Sequence, residues 1–553
     1  MSANPLTNKE RAVTILITGG ASRFARVLAT RLAPAHPIRL FDTEFAAPQP
    51  ESVAAIAGDL RTPAGIEPAL AGVDTVIHLT PLVVPQQIQD ETTALDFAMR
   101  GSYVLVNAAR QTGVAKIILA STLDLFRRWP AHYQVNEQWR PRPEARLDHL
   151  CAWLAECSVR ENIRFGELQV VCLRFGAIVD DAQTLSQPYD SCWLHMNDAV
   201  HGVERALAYQ PGRRPDWSIF HITAPGPYAK IQLRHQASAQ EKFGYQPQHD
   251  FAQQATGQAA GAGSRDGRPW RTILAPERPV PARPIRNVAI FGAGGPMGVA
   301  VTQELLSSYT LRVTDLRSLA EIAAENKPQA PGAPLPIPVP APHEEVQVDV
   351  RDPHQVMAAC AGMDAIINCT VVRPDPVNAF LVNVLGAFHV MRAAVAHGIH
   401  RVVHTGPTLL HPIWGVGDYS WDYDLHMDLP ARPYDQIYIH TKYLGQEIVR
   451  VFAEAYGLEV PVLLFSALYN PDPAIVKEGY SLFTISWPDT GRALRRALEV
   501  VSLPAPYVVM SISADVPHGR FDHDKARSIL NWSPRDDLRH LWQEDAVTTP
   551  TAA

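Results

Sequence analysis

The sequence predicts an α/β protein built as two tandem, doubly wound parallel-sheet domains, each ending in a short C-terminal substrate segment. Three observations predict it. Short apolar runs alternate with helical periodicity along the chain, the pattern of strands joined by crossover helices. A buried strand running into a glycine turn occurs twice, at Val13–Gly20 and at Asn287–Gly295. The landmarks that follow each turn recur in the same order at a near-constant offset, the signature of an internal repeat.

Taken in order, Gly19 and Gly292 lie 273 positions apart, as do Asp42 and Asp315 at the ends of the second strands. Asp59 and Asp349 are 290 apart, and so are Asp74 and Asp364. The 17 extra residues fall on the run Lys327–Pro342, in which proline alternates with small and apolar residues. Proline lacks the N–H and fixes φ, so this run reads as a polyproline-type surface excursion rather than helix or central strand. Further on, Glu156 matches Glu447 and Asp198 matches Asp489, both 291 apart. In the second copy the strands are read at Val288–Phe291, Leu311–Thr314, Glu345–Val348, Ala365–Asn368, Arg401–Thr405 and Val460–Phe465. Helical periodicity covers Ala379–His397 and Tyr438–Tyr456. The organisation is therefore a first domain over 1–251, a flexible Gly/Ala/Gln/Pro linker over 252–284, a second domain over 285–545 and a tail over 546–553.

Composition narrows the function classes. The chain has 553 residues, with 49 Lys and Arg against 56 Asp and Glu, for a net charge of −7. That is a poor balance for gripping nucleic acid, so no nucleic-acid partner is expected. There is no uninterrupted apolar run of spanning length and no signal-like start, so no membrane partner is expected and the location is read as cytoplasmic. Six cysteines lack metal spacing or a CxxC pair and read as buried, reduced thiols. His389, His397, His400, His404 and His411 form no paired ligand set, so no metal is expected. Proline is in excess, at 47 residues, against about 5% in an ordinary globular chain.

The chemistry-bearing motifs sit mainly in the second copy. Gly292-x-x-Gly295-x-x-Gly298 follows a strand and opens a helix. The first glycine permits the turn, the second lets a pyrophosphate approach the backbone, and the helix N-terminus offers free N–H groups and a positive dipole end. Asp315, 17 residues after Gly298, is placed to accept ribose hydroxyls, which favours NAD over NADP because a carboxylate repels a 2′-phosphate. Asp349 is placed near the adenine, and Met297, Val350 and Asn368 complete the candidate cofactor set. Tyr438 and Lys442, one helical turn apart, share a face. An ammonium near a phenol lowers its pKa and suits it to proton exchange with a substrate hydroxyl or carbonyl. The first copy reads Gly19-x-x-Ser22-x-x-Ala25, with Asp42 and Asp59 retained. It is left as a candidate second cofactor site at Gly19, Ser22, Asp42 and Asp59.

With these motifs, both copies resemble extended short-chain dehydrogenases/reductases, the NAD-dependent epimerase/dehydratase group, over nearly the whole chain except the linker and the proline run. The pattern is most similar to uronate dehydrogenases, because Ser186–Asp198 and Gly479–Asp489 look like that group's short substrate segment. The resemblance implies two Rossmann-like domains and a small-molecule substrate. It implies that Tyr438 is the acid/base, that Lys442 orients the nicotinamide ribose and tunes Tyr438, and that Asn383, in Asn383-Val384-Leu385-Gly386, positions that lysine through water. One motif departs. Where the family carries Ser-Ser or Ser-Thr after the fifth strand, this chain has His404-Thr405-Gly406-Pro407-Thr408, so Thr408 or Thr405 supplies the substrate-binding hydroxyl. The first copy departs further: Leu147 and Cys151 stand where Tyr438 and Lys442 stand, and Ala98 where Asn383 stands, although Ser121-Thr122 survives. It reads as a pseudoenzyme half.

The family pairs subunits through the tyrosine helix. The apolar stripe Leu147, Leu150, Cys151 and Leu154 in the first copy therefore implies an intrachain pseudo-dimer, with further homo-oligomers open. The stretch Trp421–Asp424 reads either as a cap on the substrate pocket or as a surface loop. The expected function is an NAD-dependent oxidoreductase acting on a hydroxyl or carbonyl of a sugar, sugar acid or similar polar molecule. The alternatives are an NAD-dependent sugar epimerase/dehydratase and a non-catalytic NAD-binding scaffold or sensor.

Overall fold

The computed structural model of the chain describes residues 12–46, 53–129, 135–164, 168–210, 217–225, 236–255, 276, 279–325, 327, 332–408, 431–433, 435–472, 474–475, 484–515 and 524–538. The Trp421–Asp424 stretch, His411, the tail 546–553, most of the 252–284 segment and the first residues of Gly479–Asp489 lie outside them. The backbone separates into two compact units, Met1–Leu274 and Ala275–Ala553.

In the first unit the elements run β1 (Ile15–Thr18), α1 (Arg23–Leu32), β2 (Ile38–Asp42), β3 (Ala54–Ala57), α2 (Pro63–Leu70), β4 (Thr75–His78), α3 (Thr80–Gln87), α4 (Glu91–Thr112), β5 (Lys116–Thr122), α5 (Leu147–Asn162) and β6 (Gln169–Phe175). After them come β7 (Ala177–Val179), α6 (Asp181–Ser186), β8 (Trp193–His195), α7 (Met196–Ala208), β9 (Trp217–Ile222), α8 (Gln236–Phe243) and the short α9 (Ala252–Ala255). Seven parallel strands form one sheet in the order β3-β2-β1-β4-β5-β6-β9, and β7 pairs with β8 in a separate two-stranded ribbon.

The second unit repeats this plan. Its strands are β10 (Asn287–Phe291), β11 (Thr310–Asp315), β12 (Glu344–Gln347), β13 (Ala365–Asn368), β14 (Arg401–Pro407), β15 (Val460–Phe465), β16 (Ala467–Tyr469), β17 (Thr484–Ser486) and β18 (Tyr507–Ser511). The main sheet is β12-β11-β10-β13-β14-β15-β18, all parallel, with β16 beside β17. Six of its seven strands are those the sequence shows, and β18 was not foreseen.

The order follows from burial. Central strands β1, β4, β10 and β13 are almost wholly inaccessible, as a sheet covered on both faces requires, while the edge strands β3 and β12 are exposed. Helices packed on the second sheet contribute Val301, Leu305, Ala493, Leu494 and Leu498 to a core with Val288, Ile290 and Val313. The chain leaves β10 in one direction and β13 in the other. The carboxyl ends of these two adjacent strands therefore open onto a crevice at the switch point. The segment Pro376–Ala396 is apolar and long enough to cross a membrane by composition, yet it is mostly buried inside this unit.

Two expectations change. Both ends of the 252–284 segment carry structure: α9 at its start, and at its end Val280, which is buried, donates its N–H to Tyr456 O at 2.9 Å and accepts from His400 Nδ1 at 2.7 Å. The proline run is held to the body of the unit as well as to solvent. Asn470 Nδ2 donates to Gly332 O at 2.9 Å, Ala333 is buried, and Val339 packs on the core.

Candidate active site

The glycine turn of the second unit is open where a phosphate would sit. Gly292 has φ +78°, which an L side chain adopts only under strain. A Cβ at Gly298 would lie 2.2 Å from Gly292 O, so this glycine lets the following helix, Pro296–Leu305, pack onto the turn. Gly295 is the N-cap of that helix and no side chain caps it. The N–H groups of Met297 and Gly298 in its first turn therefore have no side-chain acceptor, while Pro296 has no N–H to satisfy. The Met297 side chain turns away into the core.

Below the turn lies a cleft of about 450 Å³ lined by Gly292, Gly294, Gly295, Asp315, Leu316, Asp349, Val350, Thr370 and Val372, among others. Asp315 Oδ2 accepts from Gly294 N at 2.9 Å and Oδ1 from Leu316 N at 2.8 Å, which fixes the carboxylate at the rim. Burial pushes its pKa up, against those N–H groups. The nearby Arg317 is tied to Glu325, so it is engaged rather than free to take a 2′-phosphate. Asp349 is held by Arg351 at 2.6 Å, and that guanidinium keeps it below the usual carboxylate range. Asn368 does not line the cleft: it is buried, and its Oδ1 accepts from Thr370 Oγ1 at 2.8 Å. An uncapped helix start, a carboxylate at the ribose position and a cleft of this size fit a bound NAD.

The helix Ile437–Tyr456 meets the lining of this cleft at Thr370. Lys442 is buried on it and its Nζ reaches Thr370 O at 3.5 Å. Burial, helped by the charge of Arg373, lowers the ammonium pKa to about 8. Tyr438, one turn earlier, is half-buried, and burial raises its phenol. A second cation, Arg373, also stands beside that phenol. The Arg373 guanidinium carbon lies 5.3 Å from the Tyr438 ring centre, and its charge works against the rise that burial imposes on the phenol. Arg373 belongs to no motif, and only the loop after β13 brings it here.

Asn383 stands beside this helix. It lies in a π-helical stretch, Phe380–Leu385. Its Nδ2 donates to Val372 O at 2.7 Å and to Thr441 Oγ1 at 2.9 Å, and its Oδ1 accepts from Val372 N at 2.9 Å. Both amide protons are thus spent directly on the cleft loop and on the residue before Lys442. A Cβ at Gly445 would lie 2.3 Å from Asn383 O, so the helix and the π stretch meet in near-contact.

Of the two threonines, Thr405 gives its proton to Asn368 O at 2.9 Å inside the sheet. Thr408 is buried just beyond the end of β14 and is the better placed of the two. His404 was not expected at all. It is buried, neither ring nitrogen has a hydrogen-bond partner, and burial with the charge of Lys442 pushes its pKa well down.

The first unit keeps the outline and loses the opening. Asp42 Oδ2 accepts from Ala21 N at 3.0 Å, as Asp315 does from Gly294. However, Ser22 caps α1 by accepting from Ala25 N at 3.2 Å, so a side chain occupies the acceptor place left open at Gly295. The chain after β4 also coils into α3, where its counterpart after β13 is extended and lines the cleft. A Cβ at Gly19 would lie 2.7 Å from Val83 Cγ2, and Val83 and Leu79 join the core of this unit. Asp59 pairs with Arg61, which also reaches Asp96. Ser121 is bonded to Glu156, itself doubly held by Arg174 at 2.9 and 2.6 Å. Among the described residues, the candidate second site therefore keeps its acids, while Ser22 caps its helix start and Val83 packs toward its glycine turn. All six cysteines are buried and none forms a disulfide. Among the described residues there is no cluster of metal ligands.

Residues 288–480 match the NAD dependent epimerase/dehydratase family, and residues 19–191 match an NAD(P)H-binding family. The chain is 27% identical over 220 residues to a uronate dehydrogenase of Pseudomonas syringae pv. tomato, covering 39% of this chain and 70% of that one. It is 30% identical over 194 residues to a uronate dehydrogenase of Pseudomonas putida, covering 34% and 63%. It is 27% identical over 270 residues to an L-arabinose 1-dehydrogenase (NAD(P)(+)) of Haloferax volcanii, covering 45% and 97%.

Proposed function

We propose, from the premise that residues 288–480 belong to the NAD-dependent epimerase/dehydratase family, that the second unit is an NAD-dependent dehydrogenase of a sugar or sugar acid. The observation that carries this reading is the pairing of Tyr438 and Lys442 on one helix, with Lys442 Nζ reaching Thr370 O in the lining of a cleft that includes an uncapped glycine turn. The relatives named above, dehydrogenases of uronates and of L-arabinose, support the substrate class.

When bound, NAD supplies the hydride acceptor. The chain's own residues do the rest. Met297 and Gly298 offer N–H groups to the pyrophosphate, and Asp315 takes the ribose hydroxyls. The Tyr438 phenolic oxygen receives the proton of the substrate hydroxyl as that carbon is oxidised, and returns it in the reverse direction. Lys442, held at Thr370 O, stands by with its charge, and Asn383 fixes the helix turn that carries it. Thr408 is assigned to the reacting oxygen.

The first unit is read as a pseudoenzyme half. Leu147 and Cys151 in place of tyrosine and lysine, the cap at Ser22 and the packing of α3 support this. Its stripe Leu147, Leu150, Cys151 and Leu154 supports a role as the partner subunit in an intrachain pseudo-dimer, which cysteine cross-linking of the two tyrosine-type helices would test. Six buried thiols suit a reducing compartment such as the cytoplasm.

The decisive experiment follows absorbance at 340 nm with purified protein, NAD, and a panel of aldoses and uronates, with Tyr438→Phe as control. Stoichiometric NADH that Tyr438→Phe abolishes is expected. A changed sugar without net NADH would favour an epimerase, and NAD binding without turnover of any sugar would favour a sensor.

A further inference from the structure

Arg373 lies against Tyr438 and is explained by neither the motifs nor the assigned roles. It stands on the loop between β13 and the helix Pro376–Ala379 and is exposed. Its guanidinium carbon is 5.3 Å from the Tyr438 ring centre. A guanidinium set over an aromatic face keeps its planar fork of N–H donors available to a second group.

The charge around it is unbalanced. Lys442 lies close enough for the two cations to act on each other. A bound oxidised nicotinamide adds a third positive charge. No carboxylate among the described residues pairs with Arg373. The acid two residues along, Asp375, is committed to Val377 N at 2.8 Å, Asn378 N at 2.8 Å and Asn378 Nδ2 at 2.7 Å. A site built of cations, with one guanidinium fork held open beside the acid/base, is complementary to an anion carried by the substrate. A planar fork matches a carboxylate in two parallel hydrogen bonds.

We propose that Arg373 is a specificity-determining residue that receives the carboxylate of a sugar-acid substrate and sets the reacting carbon against Tyr438. This rests on reading the site as a sugar or sugar-acid dehydrogenase, and it selects the acid over the neutral sugar. Because the fork also contacts Tyr438, its replacement is expected to slow every substrate; the discrimination between acid and aldose is what identifies the role.

The test is direct binding, so that it does not depend on turnover. D-glucuronate and D-glucose, and D-galacturonate and D-galactose, are titrated by calorimetry into full-length protein saturated with NADH. Wild type, Arg373→Gln and Arg373→Lys are compared, and NADH affinity is measured alongside to verify that each variant is folded. The expected result is a preference for the acid of each pair of about tenfold or more, the range of a charge-assisted pair. Arg373→Gln is expected to abolish it and Arg373→Lys to restore part of it, with the same order in the kcat/KM ratios. No acid preference in wild type, or a preference that survives Arg373→Gln, overturns the inference. If the binding preference behaves as expected but no sugar is oxidised, the inference stands and the dehydrogenase reading fails.

Discussion

Ser22 and Gly295 stand at the same point of the two units, and the difference of one side chain decides what each helix start can do. Ser22 spends its hydroxyl on the N–H of Ala25, whereas Gly295 leaves the first turn of its helix without a side-chain acceptor. A Cβ at Gly295 has room, since its nearest neighbour would be Gly292 O at 3.6 Å, and the backbone there, at φ −75° and ψ 155°, accepts any residue. Gly295→Ser is therefore expected to fold, with stability unchanged or raised by a few tenths of a kcal/mol, because serine is the better N-cap. It is also expected to weaken NAD binding by about tenfold, because its hydroxyl competes for the N–H groups that a pyrophosphate needs. A thermal melt and an NAD titration on the same sample check both signs. Undiminished affinity would mean that the phosphate does not sit there.

The titrating groups give a second prediction at this scale. Burial raises Tyr438, and Arg373 works against it. Oxidation needs the phenolic oxygen free to take a proton, so kcat/KM for oxidation is expected to rise with pH through the neutral and mildly alkaline range. Reduction needs the phenol protonated, so it should stay level through that range and fall only as pH passes the raised pKa of the phenol. Lys442, held down to about 8, gives up its charge within that window. Arg373 lowers both groups, so Arg373→Gln should move the profile to higher pH; a profile that stays in place would detach Arg373 from the proton chemistry. The glycines, Asp315, Tyr438 and Lys442 were legible in the sequence because each has a fixed offset from a turn or a helix. Arg373 and His404 were not, because a loop and a strand register bring them to the site, and neither has a spacing rule.

At the scale of elements, the helix Ile437–Tyr456 and the π-helical stretch Phe380–Leu385 form the frame of the site. The first was readable to within one residue, since its apolar face is periodic and Gly457, at φ +62°, ends it in the left-handed conformation that favours glycine. The second was read as plain helix within Ala379–His397, because a π turn changes the hydrogen-bond ladder without changing the composition. The missing strand β18 is a five-residue run directly after Pro504-Ala505-Pro506, too short to separate from loop by periodicity. The two helical pieces meet where Gly445 faces Asn383 O, and a Cβ would stand 2.3 Å from that backbone oxygen. Backbone cannot swing aside as a side chain can. Gly445→Ala is expected to push the pieces apart, lowering stability by about 1–3 kcal/mol. It should reduce kcat more than it raises KM for NAD, since it displaces Asn383 and Lys442 rather than the glycine turn. Urea unfolding and steady-state kinetics check this, and a variant with full kcat would show that the near-contact is not needed.

At the scale of the whole molecule, the repeat offers a candidate cofactor site in each unit, and the described residues of the two differ at the glycine turn. The sheets have the same strand order, and Asp42 and Asp315 make the same bond to their turns, so the duplication is preserved wherever it only has to fold. It diverges where a ligand would have to enter. In the first unit α3 occupies the place of the extended cleft loop, with Val83 packed toward Gly19, and Thr80 Oγ1 bonds Thr18 Oγ1 at 3.0 Å. His78, at the end of β4, is held between Thr18 Oγ1 at 2.7 Å and Ser102 Oγ at 2.9 Å, and burial lowers its pKa to about 3, so it stays neutral in a closed polar cluster. Opening that groove would expose Leu79 and Val83, each worth on the order of 1.5–3 kcal/mol when buried, and break the cluster as well. One such side chain already costs as much as a modest ligand returns, so NAD is expected to bind with a stoichiometry of one per 553-residue chain. Ser22→Gly should not create a second site, because it frees the helix start without moving α3. Calorimetric titration of wild type and Ser22→Gly decides this: two equivalents in either would return the first unit to the cofactor-binding class, while one in both leaves it a fold retained without its ligand.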